Sequence, residues 1–314
     1  MKPVIVIVGP TAVGKSALSI EVAKRFSGEI INGDAFQVYR GLDIGTAKIT
    51  AEEQESIPHH LLDILDPTET YSAAQFQKDA FQKINEIHDR GHLPIVVGGT
   101  GMYIKGITAN WTFNKVPAEP ELRKQLEERS AQEGGENSLY EELRRLDPEA
   151  AKRIHSRNIR KVIRALELLY AGQETPEPVV QTNQQPRPYE MVLVGLTMER
   201  TRLYARIEER VEQMLGEGLL SEVRTLYDNG IRYTQAMKGI GYKELVTYFD
   251  GESTFEEAIT QLKTNSRRFA KRQLTWFRNK ENVSWFNMEL GKEKEIFEGI
   301  CRELAGKLSS MSKE

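Results

Sequence analysis

The residue pattern predicts an α/β fold: a parallel sheet flanked by helices and interrupted by an all-helical insertion. Three observations predict it. Val4 to Val8 is an unbroken β-branched run, the pattern of a strand buried on both faces. A glycine-bounded turn follows, and then Leu18, Ile20, Val22, Ala23 and Phe26 recur at helical spacing. From about Asn114 to Tyr189 strand signals vanish in favour of charged helical segments, and Met191 to Leu196 returns to a buried-strand pattern. The expected organisation is a discontinuous core domain, 1–113 with 190–314, and a helical insertion domain, 114–189.

Composition narrows the class. A chain of 314 residues with 39% hydrophobic content can bury a sizeable core. Its formal net charge of -3 means that any nucleic-acid surface must come from local clustering. Cys301 is the only cysteine, which excludes an internal disulfide and a multi-cysteine zinc site. No run approaches the roughly 18–20 apolar residues of a membrane span, and the start of the chain carries no signal-peptide pattern. The expectation is a cytoplasmic monomer without a membrane partner.

The first turn is the most informative stretch. Gly9-Pro10-Thr11-Ala12-Val13-Gly14-Lys15-Ser16 fits G-x-x-x-x-G-K-[ST], the phosphate-binding P-loop. Strand, loop and helix agree around it, so backbone N–H groups and the helix dipole converge on one point. Lys15 is expected to reach the outer phosphates of a diphosphate-like group and Ser16 to hold Mg²⁺. The core is therefore expected to be P-loop NTPase-like.

A second short strand, Ile30 to Asn32, puts Asp34 at its C-terminal end, on the sheet edge where open α/β proteins bind ligands. Such a carboxylate can hold Mg²⁺ through water, act as a general base, or cap a turn. Residues 37–48 are punctuated by glycine and read as an ordered loop over the site. His59 and His60 are adjacent, do not share a face, and read as structural or polar groups. Tyr71 to His88 is an amphipathic helix, with Phe76, Ala80, Phe81, Ile84 and Ile87 on its apolar side. Leu93 to Gly98 is the third strand, and it opens into Gly99-Thr100-Gly101, which permits close backbone approach and presents the Thr100 hydroxyl. No acid follows that strand, which counts against an ordinary ATPase.

Within the insertion Arg153, Arg157, Arg160 or Lys161, and Arg164 recur at helical spacing, with no acid from Lys152 to Arg164. A one-sided stripe suggests an anionic partner. After the return strand, Arg200 to Leu220 is a helix carrying Arg202, Arg206 and Arg210, with interleaved glutamates that suggest pairing. Gly239 to Glu244 is a glycine turn beside Tyr242 and Lys243. Lys263 to Lys280 is the most basic stretch, and most of its aromatics, Phe269, Trp276 and Phe277, read as a buried face. Its bases read as a phosphate-contacting stripe. The last thirty or so residues carry no site signal.

A diphosphate cradle, an acid at the same sheet edge and two basic helices suit group transfer from a diphosphate donor onto a nucleic acid. From Val4 to about Arg278 the sequence resembles the bacterial tRNA dimethylallyltransferase (tRNA isopentenyltransferase) family. The resemblance rests on the P-loop, Asp34 to Gln37 followed by Val38-Tyr39-Arg40-Gly41, and Asp43-Ile44-Gly45-Thr46-Ala47-Lys48. It continues through Val97 to Gly101, Arg164-Ala165-Leu166-Glu167, Ile240 to Glu244, and Ala270 to Arg278. Two positions depart from the family pattern: Ala35 stands where Ser is usual, and Ser266 where Thr is usual.

The resemblance implies transfer of a dimethylallyl group from dimethylallyl diphosphate to N6 of adenosine 37. The acceptors are tRNAs that read codons beginning with U. The implied catalytic residues are Asp34, which orients the amine and accepts its proton, Thr100, which contacts the amine, and Lys15. The P-loop residues from Gly9 to Ser16, Thr11 among them, take the diphosphate. Arg206 or Arg210 adds a donor there, with Arg210 as the candidate. The implied tRNA contacts are Asp34, Ala35, Phe36, Gln37 and Thr100 at the site, with Gln37 reading the flipped adenine. Beyond it they are Arg123, Arg160, Lys161, Arg164, Gly241, Tyr242, Lys243, Arg267, Arg268, Lys271, Arg272 and Gln273. Mg²⁺ on Ser16 is the implied cofactor. The competing readings are a P-loop small-molecule or nucleoside kinase, an isopentenyltransferase of free adenine nucleotides, and a nucleotide-gated RNA-binding module.

Overall fold

A computed structural model describes residues 2–109, 119–173, 175 and 189–311. The elements, in chain order, are β1 (Lys2–Val8), α1 (Lys15–Phe26), β2 (Gly28–Asn32), β3 (His59–His60), α2 (Ala73–Asp89), β4 (Leu93–Gly98) and α3 (Gly101–Thr108). Next come α4 (Pro120–Ala131), α5 (Gly135–Leu146), α6 (Pro148–Arg153) and α7 (Ile159–Tyr170). The chain ends with β5 (Tyr189–Thr197), α8 (Arg200–Glu217), α9 (Leu219–Asp228), α10 (Tyr242–Phe249), α11 (Phe255–Lys280), β6 (Ser284–Asn287) and α12 (Glu293–Met311). It divides into two compact units, Met1–Asn110 with Arg187–Glu314, and Trp111–Pro186. The boundary sought near Asn114 and the polar linker expected over Gln181 to Pro188 lie outside the described residues.

The first unit is built on a six-stranded parallel sheet of order β3-β2-β4-β1-β5-β6. Side chains alternate across a strand, so the aliphatic run of β1 serves both faces. Val4, Val6 and Val8 pack on one side with Phe76, Ile84, Ile104 and Phe277. Ile5 and Ile7 pack on the other with Leu18, Ile207 and Ile300. Helices therefore cover both faces, as a parallel sheet requires. The basic residues of α11 sit on a helix whose other side is core: Ala270 and Phe277 are 0% exposed.

The second unit is helical. Leu126, Leu139, Leu143, Val162 and Leu166 form its core. Asp147 caps α6, accepting from Ala150 N at 2.9 Å.

Sheet order sets up the site. β2, β4 and β1 are neighbours, so the P-loop, the turn at Asp34 and the turn at Thr100 leave one edge side by side. Val8 is in register with Gly98, and Asn32 with Val97. The backbone continues the pairing one step further, where Gly33 N donates to Val97 O at 2.7 Å.

Candidate active site

The phosphate loop is held in an unusual backbone shape. Gly14 has φ 102° at the start of α1, where a side chain would be strained, and Ala12 also has positive φ, 63°. Lys15 Nζ donates to Pro10 O at 2.7 Å. Burial lowers the Lys15 pKa to about 8, helped by the charge of Arg210 and opposed by that of Asp34. The Arg210 pKa is lowered too, first by burial and then by Arg206, again opposed by Asp34. Two cations and one carboxylate thus share one field.

Asp34 caps the turn that it begins. Its Oδ1 accepts from Phe36 N at 2.8 Å and Gln37 N at 3.4 Å. Ala35 N donates to Thr100 Oγ1 at 3.2 Å, so the Thr100 hydroxyl keeps its own proton to give. A cavity of about 100 Å³ is lined by Thr11, Lys15, Ser16, Asp34, Arg210 and Gln273, among others. It meets a cleft of about 1150 Å³ at Lys15, Ser16 and Arg210. The donor set fits a hard divalent cation: the Ser16 hydroxyl and the Asp34 carboxylate line the same cavity, and oxygen ligands are what Mg²⁺ takes.

The loop over the site is tied down by one carboxylate. Glu222 of α9 accepts from Asp43 N at 2.9 Å, Ile44 N at 2.8 Å, Gly45 N at 3.0 Å and the Tyr242 hydroxyl at 2.6 Å. Lys48, its side chain 5% exposed, pairs with Asp43 and Asp63. Gln37 Nε2 donates to Thr46 O at 3.1 Å and Ala47 O at 3.3 Å, so its amide group is spent on that loop and only Oε1 is left for a base edge.

Several residues expected at a tRNA surface have other placements. Tyr242 is 0% exposed, and Gly241, the residue before α10, is also buried. The Tyr242 side chain props the 43–45 loop through Glu222. Burial, followed by the Glu222 charge, raises its hydroxyl pKa. Gln273 is 5% exposed and points inward, away from the basic face of its helix. Arg267 is paired with Glu208 of α8. Arg123 and Arg164 both bind Glu167, whose side chain is 2% exposed. One carboxylate thus holds both guanidiniums within the second unit. Lys243 is exposed, 3.6 Å from Glu244. Arg160 and Lys161 on α7 and Arg268, Lys271 and Arg272 on α11 are exposed, with no carboxylate partner among the described residues.

The sequence pattern did not disclose three contributors. His59 lines the small cavity, with Nδ1 2.8 Å from Ile57 O. The residues expected to carry no site signal form β6 and α12, and Glu293, Lys294, Phe297 and Cys301 line the large cleft. Glu222 gave no local sign, because its loop partners lie about 180 positions earlier and Tyr242 lies 20 positions later.

Known proteins similar to this chain agree in kind. The IPP transferase family profile matches residues 37–280. The tRNA dimethylallyltransferase of Bacillus velezensis is 52% identical over 308 residues, covering 96% of this chain and 98% of its own. That of Bacillus subtilis is 50% identical over 309 residues, covering 96% and 98%. The solved full-length tRNA isopentenylpyrophosphate transferase of Bacillus halodurans superimposes with a TM-score of 0.76 at 49% identity, covering 100% of this chain and 99% of that one. A eukaryotic dimethylallyltransferase acting on tRNA gives a TM-score of 0.80 at 29% identity, covering 100% and 80%. A profile match over most of the chain, with half-identical relatives along nearly all of it, means that the chain belongs to the IPP transferase family.

Proposed function

We propose that this protein transfers a dimethylallyl group from dimethylallyl diphosphate to N6 of adenosine 37 in tRNA, in the cytoplasm and as a monomer. The observation that carries the reading is the meeting of a phosphate loop, two cations and a carboxylate around one small cavity. In the step, the C1–O bond to diphosphate breaks and its electron pair leaves with the diphosphate. The C1–N6 bond forms, and the N6 proton passes to Asp34. Lys15, Arg210 and the loop amides stabilise charge on the leaving diphosphate. Thr100 donates a hydrogen bond that orients the acceptor. Mg²⁺, held through Ser16, would neutralise further charge on the same group.

The acceptor base must leave its stack to reach a cavity at the sheet edge. The exposed cations without a carboxylate partner among the described residues, Arg160, Lys161, Arg268, Lys271 and Arg272, are the candidates for gripping tRNA phosphates. The decisive assay incubates the protein with Mg²⁺ and radiolabelled dimethylallyl diphosphate, with unmodified tRNA carrying adenosine 37 and AMP in parallel. Label in tRNA alone is expected. Label in AMP alone moves the acceptor to free nucleotides. Label in neither overturns the reading.

A further inference from the structure

Gln273 sits in the most basic stretch of the chain but turns away from its neighbours. Lys271 and Arg272 are exposed, whereas Gln273 is 5% exposed. A buried amide must have both of its ends satisfied, and each end meets a different catalytic loop. Oε1 accepts from Thr11 N at 2.9 Å, and Nε2 donates to Gly99 O at 3.1 Å. The partners fix the orientation of the amide, since a backbone N–H only donates and a carbonyl only accepts. The approach to the second loop is so close that a Cβ on Gly99 would lie 2.0 Å from Nε2.

We propose that Gln273 is a positioning residue that locks the phosphate loop to the turn carrying Thr100, and does not itself contact tRNA. β1 and β4 are paired up to Val8 and Gly98, and beyond that register no ladder hydrogen bond joins their loops among the described residues. One side chain spans the gap. Thr11 N–H is thereby turned out of the phosphate cradle, which is left to the amides after it. The separation between the diphosphate and the Thr100 hydroxyl is set by this strut, and the allylic carbon must fit between those two groups. This inference rests on the transferase reading above.

The test uses the whole protein, tRNA and dimethylallyl diphosphate. Gln273→Met keeps the volume and removes both hydrogen bonds. Gln273→Glu keeps the acceptor for Thr11 and sets a carboxylate against the Gly99 carbonyl. For Gln273→Met we expect kcat to fall about 100-fold, the loss that small misplacements in a reacting pair produce. The tRNA Kd should stay within about twofold, with an unchanged salt slope. Exchange of the Thr11 amide should accelerate in Gln273→Met and stay slow in Gln273→Glu, while kcat falls in both. Gln273→Glu carries the test if Gln273→Met does not fold.

A normal kcat in both variants overturns the inference. So does weaker tRNA binding with a flattened salt slope, which would return Gln273 to the tRNA surface. The exchange arm needs no turnover. If the unaltered protein makes no product, the transferase reading fails, while faster Thr11 exchange in Gln273→Met would still identify the strut.

Discussion

One carboxylate stands near each end of β2, and the two are treated in opposite ways. Glu29, near the start of the strand, has a side chain 3% exposed and surrounded by donors. Arg90 reaches it at 2.6 and 3.0 Å, and His60 and His92 each lie at 2.6 Å. Burial pushes its pKa up, but the hydrogen bonds of Arg90, His60 and His92 hold it at about 2. Asp34, just past the end of the strand, has only the backbone N–H groups of Phe36 and Gln37 within hydrogen-bond distance among the described residues. Its neighbours Lys15 and Arg210 feel its charge without binding it. The N-terminal end of the strand has a fully satisfied carboxylate, which serves stability. The C-terminal end has one with acceptor capacity to spare, as the proposed general base requires.

The sharpest way to break this comparison is at Asp34. Asp34→Asn keeps Oδ1 as the turn cap and removes the base. Transfer to tRNA is expected to fall about 1,000-fold or more in kcat, with Tm and tRNA Kd unchanged. Activity within about tenfold of the original would end the general-base role. Lys15 comes next. Lys15→Met should cost about 100- to 1,000-fold in turnover, yet the variant should melt no lower, because a cation kept below its ordinary pKa is a burden on the fold. The sign follows from linkage. The native pKa of about 8 lies below the ordinary 10.5. Between those values the unfolded chain binds more protons, so the Lys15 contribution to stability rises with pH. The charge proposed to hold the diphosphate is lost over the same window. kcat/KM for the donor should therefore decline above about pH 8 without a matching fall in Tm from this group.

Glu29 should behave in the reverse manner. Glu29→Gln is expected to cost about 3 kcal/mol at neutral pH, the range found when one partner of a buried ion pair is removed, with kcat little changed. Its native pKa of about 2 lies below the ordinary 4.5, so its contribution is present above pH 4.5 and lost as pH falls towards 2. Denaturant melts of the two proteins should converge in acid. A constant gap across that range would show that the cluster acts through packing alone.

What could be read from the sequence, and what could not, divides along the range of the interactions. The P-loop, Asp34 and the Thr100 turn are legible because strand, turn and helix signals adjoin in the chain. The exposed bases of α7 and α11 are legible as charge patterns. Gln273 is not, because its meaning lies 262 and 174 residues away, at Thr11 and Gly99. Nor is Glu222, whose carboxylate orders a loop about 180 positions earlier. The pairing of Tyr242 with Glu222 and of Arg267 with Glu208 is likewise long-range or tertiary, and the local pattern of either residue gives no sign of it. The His59–His60 strand is two residues long, too short for any periodicity to register.

The contrast between satisfied and spare groups recurs along α11, and there it yields the mildest prediction. Lys263 and Arg267, nearer the start of the helix, are paired with Glu212 and Glu208 of α8. Lys271 and Arg272, a turn further on, are exposed and lack a carboxylate partner among the described residues. A matched cation has its counter-charge built in and displaces no counterion from a polyanion. A spare one does, and each phosphate so contacted adds about one to the magnitude of the salt slope. Lys271→Ala should weaken tRNA binding by a few-fold at moderate salt and reduce the slope of log Kd against log salt by about one. Lys263→Ala should leave that slope as it was. Equal slopes in the two variants would mean that α11 meets tRNA as a whole helix, or does not meet it. A change confined to Lys271→Ala would place the nucleic-acid boundary between the paired and unpaired turns of one helix.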